Sequence, residues 1–134
     1  ITYLLKAKSQ GRDDFWLNYE LGWNFGRVKS HNKAIELLKR AYKMNGESDG
    51  WIESEIGWNL GRIGKHQEAI EYLKSCLAKK YYNSTWVKEE IAWNMAKLEK
   101  YQEALDLYEE VNRENPSDEN RRNIEILENI LKIK

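Results

Sequence analysis

The side chains best suited to chemistry in this sequence are tryptophans, glutamates and arginines that recur at helical spacing. They follow one another at steps of four, three and four residues, so a helix carries them in one stripe. Indoles give a surface large contact area at low entropy cost, and both ring faces and carboxylates attract cations. The stripe therefore predicts a partner-binding surface. Its three copies are Trp16, Glu20, Trp23 and Arg27; Trp51, Glu55, Trp58 and Arg62; and Trp86, Glu90, Trp93 and Lys97.

Residue types that serve catalysis or metal binding are few. His31 and His66 occupy one slot of successive copies, and Tyr101 fills that slot in the third, which favours a packing role. Equivalent slots of packed helices lie roughly 10 Å apart, too far to share a zinc ion. Cys76 stands where the other copies have small apolar residues, so we interpret it as a buried hydrophobe. The sequence has no glycine-rich phosphate loop and no ordered triad, and it predicts no enzyme, no metal and no cofactor.

Charge and hydropathy limit the partners. The 22 basic residues balance the 22 acidic ones, so no net field favours a polyanion or an anionic membrane surface. We expect neither nucleic acid nor membrane as a partner, and no stretch reaches the roughly 18 apolar residues that span a bilayer. The single cysteine excludes an internal disulfide framework and suits a reducing compartment, which predicts a cytoplasmic location.

The stripes belong to an internal repeat with a period of 35 residues. A fixed period of this length is typical of stacked-repeat proteins. Each copy has two segments with apolar residues at three-to-four spacing, which predict a helix A and a helix B. Helix A is predicted over 15–28, 50–63 and 85–98, and helix B over 31–44, 66–80 and 101–114. The slots in register are Trp16, Trp51 and Trp86; Gly22, Gly57 and Ala92; Trp23, Trp58 and Trp93; Asn24, Asn59 and Asn94; and Ala34, Ala69 and Ala104.

The whole of 1–134 is predicted as a single repeat domain, cut from a longer protein. Residues 1–7 read like 70–76, so we assign 1–12 to the helix B of a preceding repeat. Whole repeats follow at 15–49, 50–84 and 85–119, and 120–134 forms a cap helix. In the cap, Ile126 and Leu127 stand in the slots of Leu21 and Gly22. We expect the leucine to be tolerated because no helix B presses on that spot.

Small and apolar residues recur at fixed places in every copy. They are Leu21, Gly22, Phe25, Ala34, Leu38 and Ala41; Ile56, Gly57, Leu60, Ala69, Leu73 and Cys76; and Ile91, Ala92, Met95, Ala104, Tyr108, Val111 and Pro116. This pattern resembles the tetratricopeptide repeat. The resemblance implies an all-α fold, a right-handed superhelical array of antiparallel helix pairs (a tetratricopeptide-like α-solenoid) with a C-terminal cap helix. It also implies that the tryptophan side of helix A lines a concave groove where peptides lie.

The repeat length departs from the usual 34 residues of that family, and the additional residue falls in the loop between helix B and the next helix A. A period of 35 is also typical of the pentatricopeptide family, which binds single-stranded RNA one base per repeat. Zero net charge and tryptophans outside that family's pattern argue against this alternative.

Two compatible interpretations of the tryptophans stay open at this point. In the first, the indoles form the floor of a binding groove. In the second, each indole packs into a notch on the neighbouring helix A, supplied by Gly26, Gly61 or Ala96, and Arg27 and Arg62 cover the indole faces. Glycine inside a helix costs about 1 kcal/mol relative to alanine, so something large is expected against it. The recurring amides are predicted to form a structural ladder between successive A helices: Asn24, Asn59 and Asn94.

The function predicted from these observations is a scaffold or adaptor that binds a peptide or protein segment in the tryptophan-lined groove. Some relatives grip a C-terminal carboxylate with lysines and asparagines, but these slots here include Ser54, Glu55 and Glu89 beside indoles. Indoles next to glutamates better suit an apolar, proline-containing or basic segment. The alternatives are self-association into a homodimer and a regulatory segment of a larger enzyme or signalling protein.

Overall fold

The structure, a computed structural model, describes residues 1–44, 50–79 and 83–133. Within these ranges the chain forms eight helices and no strand. Each predicted helix of the three repeats is present, with ends within two residues of those predicted wherever they are described. The bounds are α1 Thr2–Ser9, α2 Phe15–Arg27, α3 His31–Met44, α4 Trp51–Arg62, α5 His66–Ala78, α6 Ser84–Lys97, α7 Tyr101–Glu114 and α8 Asp118–Ile133.

Small residues bring the two helices of each repeat into close contact. A Cβ placed on Gly22 would lie 2.7 Å from Cγ of Leu38, which is shorter than real carbon contacts. A Cβ on Gly57 would lie 2.7 Å from Cγ of Leu73. The predicted packing register of helix A on helix B is therefore correct. The alanines on the B helices that face these contacts have no exposed surface: Ala34, Ala69 and Ala104.

The turn from helix A to helix B has the same geometry in all three repeats. Its left-handed residue is Lys29, Gly64 or Glu99, with φ of 66°, 85° and 61°. The next residue donates its amide to the carbonyl five residues earlier, at 2.8, 3.0 and 2.9 Å. This backbone cap satisfies the end of helix A and reverses the chain direction. Each helix B thus returns alongside its own helix A.

The ends of the array are covered by single helices. α1 buries Leu4 against Leu17 and Leu21. At the other end, α8 packs against α7 and places Leu127 in the core of the third repeat. Leu127 is buried, so the leucine is accommodated where the repeats carry a small residue, whereas 56% of Ile126 is exposed. Among the described helices α8 packs against α7 alone, and only the face turned to that helix is covered.

Successive A helices lie side by side, α2 beside α4 and α4 beside α6. This arrangement brings the three stripes of tryptophan, glutamate and basic residues onto one face. The predicted additional residue of the period falls in loops that include 45–49 and 80–82, which lie outside the described residues, as does the predicted helix end at 80. The predicted starts of the third repeat at 85 and of the cap at 120 lie one and two residues after the first residues of α6 and α8. No helix in the described ranges is long and apolar enough to cross a membrane.

Candidate functional site

The face formed by α2, α4 and α6 carries all six tryptophans, and we call it the tryptophan face. A row of alternating indoles and cations runs along it. The guanidinium carbon of Arg27 lies 4.6 Å from the ring centroid of Trp23 and 4.7 Å from that of Trp58. Arg62 lies 5.4 Å from Trp58 and 4.3 Å from Trp93. The row ends at a lysine that lies 5.4 Å from the last indole. We call it the central row, and it consists of Trp23, Arg27, Trp58, Arg62, Trp93 and Lys97, on three helices.

Ion pairs between neighbouring helices fix the cations of the central row. Arg27 donates to both carboxylate oxygens of Glu55, at 2.7 and 2.9 Å, and Arg62 donates to Glu90 at 2.7 Å. Burial raises the pKa of Glu55 and of Glu90, and the paired arginine opposes that rise in each case. The arginines therefore stabilise half-buried carboxylates and are held in place by them.

The indoles of the central row combine packing with exposure. Trp23 is 40% exposed, whereas Trp58 is half-buried. The ring of Trp58 touches both arginines of the row and meets the edge of His31 with centroids 5.3 Å apart. The indoles of the central row are therefore packed against neighbouring side chains and partly exposed to solvent at the same time.

The glycine notches hold asparagine amides as well as indoles. A Cβ on Gly26 would lie 3.0 Å from Oδ1 of Asn59, and one on Gly61 would lie 3.0 Å from Oδ1 of Asn94 and 3.3 Å from the Trp93 ring. An indole therefore lies against Gly61 beside an amide, whereas the three nearest atoms at Gly26 all belong to Asn59. The asparagine has the small amide group that fits beneath the indole layer.

The asparagine ladder also reaches helix B of the preceding repeat. Oδ1 of Asn59 lies 2.8 Å from Nδ1 of His31, and its amide donates to the carbonyl of Glu55 at 2.7 Å. Asn94 makes the same pair of contacts with His66 and Glu90. Both amides are fully buried and satisfied, as buried polar groups must be. The histidines thus position the A helices, which explains their shared slot.

A second polar position inside the repeats changes its charge from one repeat to the next, unlike the asparagines. Glu53 is fully buried and pairs with Lys79, with Oε2 and Nζ 2.5 Å apart. In the next repeat Lys88 takes the glutamate's slot and pairs with Glu114 at 3.2 Å. The acidic and the basic residue have exchanged helices, but each pair still joins helix A to helix B of the same repeat. We therefore assign this position to packing within the repeat rather than to partner binding.

The end of the tryptophan face nearest α1 is aromatic. Trp16 and Trp51 stack with centroids 6.2 Å apart and planes at 17°. Tyr19 meets Trp51 edge-on at 4.3 Å, and Phe15 meets it at 5.8 Å. Trp16 remains 58% exposed. We call these four residues the aromatic end.

The opposite end is a cavity of 470 Å³ between α6, α7 and α8. Its walls combine rings and carboxylates, and we call it the acidic end. Sequence reasoning placed part of this site in the stripe but missed the contributions of α7 and α8. The only signal in the sequence was a slot that changes from Tyr19 to Ser54 to Glu89. The lining residues are Arg62, Trp86, Glu89, Glu90, Trp93, Tyr108, Glu119 and Asn123.

Negative charge accumulates in this cavity. Burial raises the pKa of Glu89, and Glu119 and Glu90 raise it further. The pKa of the Tyr108 hydroxyl is also raised, first by burial and then by the same carboxylates. Within the described residues neither Glu89 nor Glu119 forms an ion pair, whereas Glu90 is paired with an arginine.

The structure gives no support to chemistry at the single cysteine. Cys76 is buried, and burial raises the pKa of its thiol to about 12, with a further contribution from Glu53. A thiol in this state is a poor nucleophile. Across the part of the chain that is described, no three histidine, cysteine, aspartate or glutamate side chains converge as a metal site would require.

Neither a family model nor a curated protein matches the sequence. Solved structures that share its architecture include the following three. The first tetratricopeptide domain of Spaghetti (RPAP3), bound to the HSP90 peptide SRMEEVD, has a TM-score of 0.78 and 16% identity, over 89% of this chain and 94% of that one. A double mutant of MamA (RS-1 ArsTM) has a TM-score of 0.85 and 12% identity, over 98% and 72%. The Arabidopsis OM64 tetratricopeptide domain has a TM-score of 0.76 and 16% identity, over 86% and 94%.

These likenesses concern the fold. Together with the eight described helices, they confirm the predicted fold class, an all-α array of antiparallel helix pairs of the tetratricopeptide type.

Proposed function

We propose that this chain, which has the tetratricopeptide-repeat fold, is a protein-interaction module that binds a peptide or protein segment along its tryptophan face. The single observation that carries the proposal is the central row. Indoles and guanidinium groups alternate across three helices with spacings of 4.3 to 5.4 Å, and the outer indole is 40% exposed. Such a row offers a long, partly apolar surface.

The rigidity of the row supports this function. The Arg27–Glu55 and Arg62–Glu90 pairs and the buried asparagine ladder hold the indoles before a partner arrives. A surface that is ordered in advance loses less side-chain entropy on binding. Aromatic residues and arginines are also the residue types in which binding energy concentrates.

The chemistry of the face favours an apolar, proline-containing or basic segment. The peptide bound to the Spaghetti domain, SRMEEVD, has three acidic residues. Here the tryptophan face carries the half-buried carboxylates of Glu55 and Glu90, and at its acidic end two carboxylates that form no ion pair within the described residues. Like charges brought together at an interface are unfavourable. We therefore expect no measurable binding of SRMEEVD to this chain.

Capture from source lysate by wild type and by Trp58→Ala tests the proposal. Trp58 lies at the centre of the row, and truncation of a central aromatic typically costs about 2 to 4 kcal/mol of binding free energy. Lys74→Ala, an exposed change on α5, is the matched control. A folded Trp58→Ala that loses the partners retained by Lys74→Ala supports the tryptophan face as the binding site.

One other outcome would contradict the assignment, and another would move the test to a second indole. If Trp58→Ala is folded and keeps every partner, the tryptophan face is not the binding site. If Trp58→Ala unfolds, the indole serves packing, and Trp23→Ala, at a more exposed indole, then decides whether the face binds.

Self-association is the second candidate. Tyr3 on α1 is 76% exposed and Ile133 on α8 is 86% exposed, so apolar side chains are available at both ends of the array. Light scattering after size exclusion separates the two candidates. A concentration-dependent dimer mass that Tyr3→Ser abolishes would favour self-association, and a constant monomer mass would exclude it for this chain.

A further inference from the structure

The cavity at the acidic end has a composition that selects one kind of occupant. Two indoles and a phenol form its walls, from Trp86, Trp93 and Tyr108, and three carboxylates border it. The one cation among the lining residues is Arg62, which already donates to Glu90 and stacks on Trp93. The cavity therefore carries a surplus of two negative charges at neutral pH.

We propose that this cavity binds the cationic side chain, lysine or arginine, of the segment that lies along the tryptophan face. The inference rests on the proposed function, since it assigns one subsite of that face. The cavity volume of 470 Å³ leaves room for such a side chain. The surrounding rings attract an ammonium or guanidinium group by cation–π interaction, and Glu89 and Glu119 supply the opposite charge.

Other occupants fit less well. An apolar side chain would cover carboxylates without giving them a partner, which is costly. An anionic side chain would meet the carboxylate surplus. A metal ion would need at least three converging ligands, and no such group exists among the described residues.

The pattern within the central row supports the same conclusion. At the two inner junctions of the A helices, an arginine of one repeat lies between indoles and pairs with a glutamate of the next repeat. The cavity repeats the elements of that environment, indoles next to carboxylates, but Glu89 and Glu119 have no paired cation within the described residues. A cation from the partner would give these two carboxylates the opposite charge that Glu55 and Glu90 receive from arginines.

Nuclear magnetic resonance with single-residue probes tests the inference directly. The probes are acetyl-lysine N-methylamide and acetyl-arginine N-methylamide, and the uncharged controls are the norleucine and Nε-acetyl-lysine derivatives at equal ionic strength. We expect the two cationic probes to shift the indole N–H signals of Trp86 and Trp93. The uncharged probes leave these signals unchanged, and the signals of Trp16 and Trp51 do not move with any probe.

Three variants locate the charge. Glu89→Gln and Glu119→Gln should weaken cationic probe binding roughly tenfold each, the usual scale for losing a contact to a charged group. Glu125→Gln, an exposed change on the same helix α8, should leave probe binding unchanged. Equal shifts with norleucine, shifts confined to the aromatic end, or equal binding by all three variants would overturn the inference.

The same variants separate this inference from the proposed function. If Trp58→Ala abolishes partner capture while Glu89→Gln and Glu119→Gln change neither capture nor probe shifts, the tryptophan face binds partners and the cation subsite is refuted. If the probe shifts depend on both glutamates although partners bind elsewhere, the cation subsite stands and the proposed function falls.

Discussion

The two ends of the tryptophan face share two equivalent positions of the repeat, Trp16 with Trp86 and Tyr19 with Glu89, but have different chemistry. At the aromatic end Tyr19 meets Trp51 edge-on at 4.3 Å, and Trp16 is 58% exposed. At the acidic end the slot of Tyr19 is Glu89, and burial together with the neighbouring carboxylates raises the pKa of that carboxyl. The comparison indicates that one position per repeat sets the local chemistry of the face, whereas the alternation of indoles and cations in the central row continues through all three repeats.

The contacts that recur from repeat to repeat lie beneath the surface position that varies. The Asn59–His31 and Asn94–His66 contacts are both 2.8 Å long, and the cross-helix arginine–glutamate pairs recur at 2.7 Å. Because the scaffold repeats so closely, a change in the adaptable slot alters the surface without altering helix positions. A partner segment with an apolar part and a basic part would thus be bound in one direction.

The largest effect on stability and binding is expected at Ala69, because both ends of the tryptophan face depend on the packing of helix A against helix B. Ala69 is fully buried where α4 and α5 meet, and Ala69→Leu forces these helices apart. Overpacking typically lowers the free energy of unfolding by about 1 to 3 kcal/mol. We expect a clear fall in Tm and loss of binding at both ends. Lys74→Leu, on the exposed side of the same helix, is the control, and equal falls in Tm would mean that the packing register is wrong.

A substitution at position 89 should make the acidic end resemble the aromatic end. Glu89→Tyr reproduces the residue type of the aromatic end, so lysine-derivative binding at Trp86 and Trp93 should fall roughly tenfold, which corresponds to about 1.4 kcal/mol. The reverse change, Tyr19→Glu, should not create a cation site, because Leu38 stands in the slot of Tyr108. Cation binding in Tyr19→Glu would show that one slot alone decides the chemistry.

A smaller effect on stability is expected when single cations of the central row are removed, and it should differ between a cation paired across helices and the lysine at the end of the row. Arg27→Met removes two hydrogen bonds to Glu55 and the contacts with two indoles. Partly exposed ion pairs and cation–π contacts each contribute about 0.5 to 1 kcal/mol, so urea unfolding should show a loss of about 1 to 2 kcal/mol. Lys97→Met removes one cation–π contact and should cost less. A larger loss for Lys97→Met would contradict the cooperative row.

The smallest effect concerns pH. Burial, Glu119 and Glu90 raise the pKa of Glu89 above the ordinary value of 4.5, and Tyr108 and Arg62 are the other titratable groups lining its cavity. The stability that this carboxyl contributes is therefore full below pH 4.5 and is lost as the pH rises through the raised pKa. Compared with wild type, Glu89→Gln should lose less stability between pH 4.5 and 7. The difference should be only a few tenths of a kcal/mol, because the half-buried carboxyl still borders solvent that screens its charge. Urea unfolding across this range checks it, and a curve parallel to that of wild type would contradict it.

Local patterns predicted most of the fold. The 35-residue period located six repeat helices, and the small-residue slots predicted contacts such as Gly22 with Leu38. These features depend on spacing within one repeat, which the sequence displays directly. The exposure on α8 was not predictable in the same way, because Ile126 stands in the slot of the buried Leu21 but is 56% exposed, whereas Leu127 is buried in the core of the third repeat.

The site was predicted in part for a similar reason. Helical spacing identified the stripes, but it gave no indication that Arg27 pairs with Glu55 of the next helix or that His31 contacts Asn59. Those contacts depend on the offset between repeats. The cavity at the acidic end combines Tyr108 and Glu119, which occupy non-equivalent slots, so no periodic signal pointed to it.

Photo-crosslinking of the captured partner tests the central claim most directly, namely that one segment lies along the tryptophan face in a fixed direction. p-Benzoylphenylalanine is placed at Trp16 in the aromatic end, at Asn123 beside the acidic end and at the exposed Lys74. We predict crosslinks from Trp16 to an apolar stretch of the partner and from Asn123 within a few residues of a lysine or arginine, with none from Lys74. Crosslinking from Lys74 as efficient as from the face, or the same partner residues reached from both ends, would contradict the account.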